Sequence, residues 1–440
     1  MQRAATVLCT WDSRITFMNL LLLLGIGRAM KRIVAGLLLC TLVVPLAARG
    51  EGSLPTAGVN AGDSLVIPGS WTWPQRIARS FVVRHPGSVT YDSLSPNQRW
   101  NYEQGLMLVA LRSMWLHSGE KQYFEFIKGN VDQFVEENGS IRTYKYEEFN
   151  LDNIAMGRAL LTVYEVTKEL KYKSAADTLR KQLANQPRTK EGGFWHKQIY
   201  PYQMWLDGLF MAEPFYAWYS VMTKDTQSYD DIVNQFVYVY KHTRDPNTGL
   251  LYHGWDESKQ QKWADPQTGR SPSFWARAIG WYEMALVDVL DVLPRDYPRR
   301  AELLPILNDV SATLLKFQDK KTHLWYQVPD QGARQGNYLE ASASSMFAYA
   351  FAHGAKKGYL DKSYLAEARN VFEGIVSNLV TVDSRGFVNL LHTCQGAGLG
   401  GKPYRAGSYE YYVSEPQRTN DMKGYGPFLL AAIELDEVSH

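Results

Sequence analysis

Cysteine and excess charge are both scarce in this chain. Only three of its 440 residues are cysteines, and two of these, Cys9 and Cys40, lie in an N-terminal segment that we predict to be removed. The remaining Cys394 cannot form an intramolecular disulfide, so the fold must be held by its core. The 47 basic and 45 acidic residues leave a net charge of only +2, which argues against nucleic acid or an anionic membrane as a partner.

Metal and nucleotide motifs are missing as well. The sequence contains no HExxH, no CxxC and no EF-hand loop. The stretch "GAGLGG" near residue 398 has no strand before it and no helix after it, so it is not a dinucleotide fingerprint. A serine nucleophile elbow is also absent. We therefore expect neither a metal nor a cofactor.

The N-terminal residues have the pattern of an export signal. Met30, Lys31 and Arg32 precede an apolar run over 33–46 that ends at two alanines. This order is typical of a signal peptide, here cleaved near residue 48, and the run is short for a membrane span. Residues 1–29 are interpreted as an overextended start, although "MNLLLLLGIG" leaves a signal anchor as an alternative. We expect export to the periplasm or cell exterior, without membrane contact after cleavage.

Aromatic and apolar residues are abundant in the rest of the chain. Hydrophobic residues make up 45% of the sequence and aromatic residues 13%, including 13 Trp and 27 Tyr. This composition suits a helix-rich core or a cleft that stacks on sugar rings. After a predicted extension over 49–70, no Pro/Ser-rich linker interrupts the sequence, so 71–440 is predicted to be a single domain.

A weak internal repeat organises this domain. Each of six segments begins with polar and aromatic residues, passes one small residue and continues as an apolar helix. The small residues are Gly105, Gly157, Gly208, Gly280, Ser345 and Gly426. The first five segments are followed by an amphipathic helix such as "KQYFEFIKGNVDQFVEE", and "WPQRIARSFVVRH" could supply the sixth partner.

Six apolar helices that alternate with six amphipathic ones predict an all-α fold, the (α/α)6 barrel. The apolar helices would be enclosed and the amphipathic ones would shield them from water. Because the return helices are antiparallel, the N-terminal ends of all inner helices meet at one rim. Backbone N–H groups and positive dipole ends face that rim, which favours an anionic ligand.

Two carboxylates are placed at this rim. Asp207, in "YPYQMWLDGLF", lies at the start of the third inner helix, and Asp152 lies at the start of the second. Both could instead be helix N-caps, since Asp is a favoured capping residue. Trp205 favours a functional interpretation, because a sugar site needs a bulky aromatic partner and a cap does not.

Further polar and aromatic residues are expected at the same rim. "GLLYHGWDES" places a histidine in a loop, and "SPSFWARAIGW" places an arginine between tryptophans. Each of these residues, and the lysine in "GGFWHKQIYPYQMW", could also be structural, since such residues commonly serve packing or solvation. The candidates for substrate binding are Tyr102, Lys197, Trp205, His253, Trp275, Arg277 and Trp281.

These segments together resemble glycoside hydrolase family 105, the unsaturated rhamnogalacturonyl hydrolases. "LDN", "WLDGLFMA", "YHGWDE", "FWARAIGW" and "SYEYYVSEP" occur in the family's order and approximate spacing. The resemblance runs from Trp100 nearly to the C-terminus. It implies an (α/α)6 barrel that removes a Δ4,5-unsaturated uronic acid from oligosaccharides left by a pectin lyase.

The resemblance also implies roles for the candidate residues. Asp207 looks like the family's general acid/base and Asp152 like its second carboxylate, while the candidates named above look like contacts of the sugar pocket. Because the unsaturated sugar is a vinyl ether, one protonated carboxyl group could drive its hydration. We expect burial and the neighbouring Asp152 to favour the protonated form of Asp207, against the helix N-terminus.

Three other functions fit the same residues. An unsaturated glucuronyl hydrolase would use the same chemistry on other lyase products, and an inverting glycosidase on saturated sugars can use the same barrel. A glycan-binding barrel without turnover would use the tryptophans alone. The expected partner in every case is an oligosaccharide, and the expected state is a monomer or a weak oligomer.

Overall fold

The computed structural model describes residues 65–89, 99–332 and 334–436. The predicted leader and signal peptide at 1–48 lie outside the described residues, as do the first residues of the predicted extension. Within the described ranges, six inner helices carry the apolar segments: α2 (Tyr102–Ser118), α4 (Gly157–Thr167), α6 (Leu206–Thr223), α8 (Ala276–Val292), α10 (Ala341–Lys357) and α13 (Met422–Leu435).

An outer helix follows or precedes each inner one. The outer helices are α1 (Trp73–Arg84), α3 (Lys121–Asp132), α5 (Leu170–Asn185), α7 (Ser228–Thr243), α9 (Arg300–Lys316) and α11 (Ser363–Leu379). The short α12 (Tyr409–Ser414) lies in the loop before α13. As predicted, the stretch "WPQRIARSFVVRH" forms the sixth outer helix, and α1 packs against α13.

The inner helices close into a ring. α2 contacts α4 and α13, α6 contacts α4 and α8, and α10 contacts α8 and α13. The prediction of an (α/α)6 barrel is therefore confirmed. We call the end at the N-termini of the inner helices the mouth, and the end at their C-termini the base.

Burial explains the division into two rings. In α10 every residue from Ala341 to Ala355 is buried, whereas the outer helix that follows buries a single stripe. The buried residues of α11 recur every three or four positions, which is the pattern of a helix with one solvent face. They are Ala368, Val371, Phe372, Ile375 and Leu379.

Small residues allow the inner helices to pack closely. A Cβ atom added at Gly157 of α4 would lie 2.3 Å from the ring of Phe215 in α6. At Gly280 of α8 it would lie 2.6 Å from the sulfur of Met346 in α10. These glycines of the repeat therefore mark contacts between neighbouring inner helices.

Short strands and 3-10 turns connect the helices. β1 (Gln203–Trp205) pairs antiparallel with β2 (Gly254–Asp256) directly before α6. The remaining described elements are β3 (Val380–Val382) with β4 (Val388–Leu390), β5 (Thr393–Cys394) with β6 (Gln417–Arg418), and 3-10 turns at Tyr146–Glu148, Leu151–Ile154 and Pro329–Gln331.

One inner helix begins later than its sequence suggested. The segment "NLDNI" forms a 3-10 turn, and α4 starts only at Gly157. The side chain of Asn150 accepts a hydrogen bond from the backbone N–H of Asp152 at 3.0 Å. Such local bonds of Asn compete with a regular helix, so Asp152 precedes α4 in a turn at the mouth.

Candidate active site

Asp207 lies in the first turn of α6, immediately after β1. The N-cap of this helix is Trp205, which makes no side-chain capping bond, so Asp207 is not the cap. Pairing of Trp205 with Gly254, and a 3.1 Å hydrogen bond from Leu206 N to His253 O, bring His253 beside the carboxylate. The two strands thus join residues 46 positions apart in the sequence.

The carboxylate of Asp207 is buried and incompletely paired. Its Oδ2 atom lies 3.1 Å from Nε2 of His253. The two atoms are not aligned for a hydrogen bond, and neither has another hydrogen-bond partner in the described part of the chain. Buried polar atoms without partners are uncommon and are a feature of functional sites.

His253 connects Asp207 to a tyrosine. Its Nδ1 atom lies 2.8 Å from the hydroxyl group of Tyr412. Burial lowers the pKa of His253, and Asp207 opposes this only in part, which favours the neutral ring. A neutral imidazole has one N–H and one acceptor nitrogen. His253 therefore lies between the Tyr412 hydroxyl group and the Asp207 carboxylate.

Asp152 is held as an ionised carboxylate. Its Oδ2 atom accepts a hydrogen bond from Lys197 Nζ at 2.5 Å, and its Oδ1 lies 3.3 Å from His196 Nε2. Burial alone would raise the pKa of Asp152, but Lys197 and His196 outweigh it and hold that pKa well below its usual range. Lys197 thus binds a protein carboxylate, whereas the sequence made it a candidate for substrate binding.

Aromatic contacts join the two carboxylates. The ring of Trp205 stacks on His196 at 4.6 Å and on Tyr200 at 4.8 Å, and its edge meets His253 at 5.3 Å. Trp205 is only 5% exposed. A continuous row of contacts therefore runs from Asp152 through His196, Trp205 and His253 to Asp207.

Arg277 is buried at the start of α8. Its Nη1 donates to Cys394 O at 2.6 Å and to Ser342 Oγ at 3.4 Å, while its Nε has no hydrogen-bond partner among the described atoms. Burial opposes its charge, but the neighbouring Cys394 and Glu340 outweigh this and raise the pKa of Arg277. A fixed positive charge therefore lies in the wall of the site.

The other predicted aromatic residues line or support this wall. Trp275 is 1% exposed, stacks with Tyr412 and donates from Nε1 to Gln327 Oε1 at 3.1 Å. Trp281, also 1% exposed, lies between Tyr102 and Phe210. Only Tyr102 of these predicted residues is partly exposed.

Tyr102 links the two sides of the site electrostatically. Burial raises the pKa of Tyr102 well above its usual value; the charge of Arg277 opposes this rise and that of Asp152 adds to it. The structure brings all nine predicted residues to the mouth of the barrel.

Three contributing residues were not among the sequence candidates. His196 could have been found, because it directly precedes Lys197. Tyr412 lies within "SYEYYVSEP", where three tyrosines within four residues gave no reason to prefer one. Tyr200 resembles an ordinary loop residue, and only the stacking on Trp205 distinguishes it.

In the described ranges, no group of three or more His, Cys, Asp or Glu side chains could hold a metal ion, and no helix could cross a bilayer.

Residues 73–438 match the model of Glycosyl Hydrolase Family 88. Among solved structures, a glycoside hydrolase from family 105 of C. acetobutylicum is similar, with 43% identity and a TM-score of 0.79. That similarity covers 83% of this chain and 99% of the other.

Two proteins of known sequence are also similar. Protein Atu3128 of Agrobacterium fabrum is 39% identical over 230 residues, which cover 51% of this chain and 97% of that protein. The unsaturated rhamnogalacturonyl hydrolase YesR of Bacillus subtilis is 26% identical over 275 residues, which cover 61% of this chain and 75% of that protein.

Proposed function

The chain belongs to Glycosyl Hydrolase Family 88 and is a glycosidase of the unsaturated-uronide type, and from this premise we propose its substrate and its catalytic groups. The substrate is an oligosaccharide from rhamnogalacturonan with a terminal Δ4,5-unsaturated galacturonic acid. The similarity to YesR, named for such a substrate, supports this choice. Asp207 is the general acid/base.

One observation carries the assignment of Asp207. Its carboxylate is buried in the first turn of an inner helix, and one of its oxygens has no hydrogen-bond partner in the described part of the chain. Asp152, in contrast, is bound by a lysine and a histidine. Of these two carboxylates, Asp207 is therefore the one that we assign to proton exchange with the substrate.

The proposed reaction begins with proton transfer. The unsaturated sugar is a vinyl ether, so the carboxyl group of Asp207 donates its proton to C4, and positive charge develops at C5 and the ring oxygen. A water molecule then attacks C5 and loses a proton to the Asp207 carboxylate. General acid and base steps of this kind contribute ~10²–10⁴-fold each to the rate.

Ring opening completes the reaction. The new hydroxyl group at C5 forms a ketone as the bond from C5 to the ring oxygen breaks, and the hemiacetal left at C1 expels the adjoining sugar. No nucleophile attacks C1, so the carboxylate spacing that separates retaining from inverting glycosidases does not apply. Asp152 supplies a fixed negative charge to the site, and the buried Arg277 supplies a fixed positive charge for the substrate carboxylate.

The test is incubation with lyase-generated rhamnogalacturonan oligomers. We expect loss of the ultraviolet absorbance of the C4=C5 carboxylate together with release of the adjoining sugar. Sugar release from saturated oligomers, with the chromophore left intact, would indicate an ordinary glycosidase. Turnover confined to glycosaminoglycan or xanthan fragments would indicate a glucuronyl hydrolase, and tight binding without turnover a glycan-binding barrel.

We further propose that the protein acts outside the cytoplasm. The support is the basic, apolar and small-residue order over 30–48 of the sequence. Expression of the full chain followed by N-terminal sequencing should give a mature protein that begins near residue 49. A product that retains residues 1–29 in the cytoplasm would refute export.

A further inference from the structure

A cavity at the mouth borders the wall that holds Trp205. It has a volume of about 480 Å³ and shares residues with the catalytic wall. Tyr200, which lines this cavity, stacks on Trp205, and Gln203 accepts a hydrogen bond from Trp205 Nε1 at 3.1 Å. The cavity therefore borders the wall that contains Trp205, the N-cap of the helix that carries Asp207.

The charge of the cavity is entirely positive. Its lining residues include Lys402 and Arg405 but no aspartate or glutamate. Arg405 donates from Nε to Gly400 O at 2.9 Å and from Nη2 to Tyr200 Oη at 2.8 Å, both neutral acceptors. Over residues 65–89, 99–332 and 334–436, neither cation has a carboxylate partner within ion-pair distance.

Unpaired cations next to neutral acceptors favour an anionic ligand. Arginine and lysine bind carboxylate and sulfate groups through charge-assisted hydrogen bonds. Ile199, which is 70% exposed, and the ring of Tyr200 add apolar surface of the kind that packs on a sugar face. Arg405 also lies 5.9 Å from the ring of Trp205, so its charge reaches the catalytic wall.

We propose that this cavity is a subsite for the sugars that follow the unsaturated residue, and that Lys402 and Arg405 bind an acidic group on them. This inference rests on the proposed function. The acidic group is the carboxylate of a second uronic acid or a sulfate ester. The protein therefore prefers acidic oligosaccharides that extend beyond the bond that it cleaves.

The test compares two pairs of substrates. One pair is the unsaturated disaccharide and tetrasaccharide of rhamnogalacturonan, of which only the tetrasaccharide has a second uronate. The other pair is the unsaturated chondroitin disaccharide with and without sulfate. Lys402→Ala is the main variant, because Arg405 also supports its own loop. Lys121→Ala is the matched control, since Lys121 is an exposed lysine at the base.

Loss of one exposed charge contact should lower kcat/KM on the tetrasaccharide about fivefold and leave the disaccharide unchanged. The loss should shrink at high salt, which screens exposed charges, and Lys121→Ala should change neither substrate. A loss on the sulfated chondroitin substrate alone would identify sulfate as the ligand.

An equal loss on both members of each pair, or no loss on any of them, would overturn the subsite. Absence of turnover by the wild-type protein on all four substrates would instead refute the proposed function, and the subsite with it. Arg405→Lys, which keeps the charge, should retain more of the tetrasaccharide preference than Arg405→Ala.

Discussion

The mouth and the base of the barrel use buried charges in opposite ways. At the base, both ring nitrogens of His353 lie 2.8 Å from carboxylates, Nε2 from Asp291 and Nδ1 from Glu434. Asp291 also accepts a hydrogen bond from Tyr359 at 2.7 Å. At the mouth, Asp207 and the facing nitrogen of His253 have no aligned partner in the described residues.

The pKa values of the two histidines shift in opposite directions because the rings have different numbers of neighbouring carboxylates. Burial lowers the pKa of each, but two carboxylates at His353 outweigh it and raise its pKa to about 9. At His253 the single carboxylate does not, and its pKa is lowered. The base is therefore a satisfied network that stabilises the fold, whereas the mouth keeps groups available for a ligand.

The sharpest test of this contrast is Asp207→Asn. We expect kcat to fall ~10²–10⁴-fold, because the acid/base is lost. The melting temperature should hardly change, because the Oδ2 atom has no partner to lose. The measurement is the loss of the substrate chromophore together with thermal unfolding. If the variant kept most of the wild-type turnover, the assignment would be wrong.

The converse change at the base is His353→Leu. It leaves Asp291 and Glu434 without the cation between them, so we expect the free energy of unfolding to fall by ~3 kcal/mol. Activity measured well below the melting temperature should stay within about twofold of the wild type, an effect no larger than that of losing one surface ion pair. Denaturant unfolding checks the first expectation. A large loss of kcat in the folded variant would break the contrast between the two ends.

A smaller effect is expected for Tyr412→Phe at the mouth. Tyr412 is a positioning residue, since its hydroxyl contacts His253 and His253 faces Asp207. Loss of this hydrogen bond should lower kcat about 2- to 10-fold and shift the pH profile of kcat, with little change in KM. Tyr411→Phe, which alters the adjacent tyrosine, is the control. An unchanged pH profile would leave Tyr412 with a purely structural role.

The contrast also predicts how stability depends on pH. His353 has a pKa of about 9 in the folded protein against 6.5 for the free group. Its stabilising contribution is therefore fully present below about pH 6.5 and is lost as the pH rises through about 9. We expect the melting temperature to fall across this window, and to fall less in His353→Gln. Equal slopes for the two proteins would contradict the charged state of His353.

Local patterns were sufficient to predict the barrel. The alternation of apolar and amphipathic helices predicts which helices are enclosed. The small residues mark close contacts between helices, such as Gly157 against Phe215. The start of α4 was the exception, because a side-chain bond from Asn150 replaced the first helical turn. The position of Asp207 and Asp152 at one end also follows, since all inner helices run in the same direction.

By itself, the sequence determined the number of helices in each ring and their direction, because helical periodicity is a local property. Only the tertiary structure decided how those residues are paired. Lys197 binds Asp152, Arg277 binds the carbonyl of Cys394, and His253 meets Tyr412, which is 159 residues away. Such partners are brought together by packed loops and short strands, whose register depends on contacts distant in the chain.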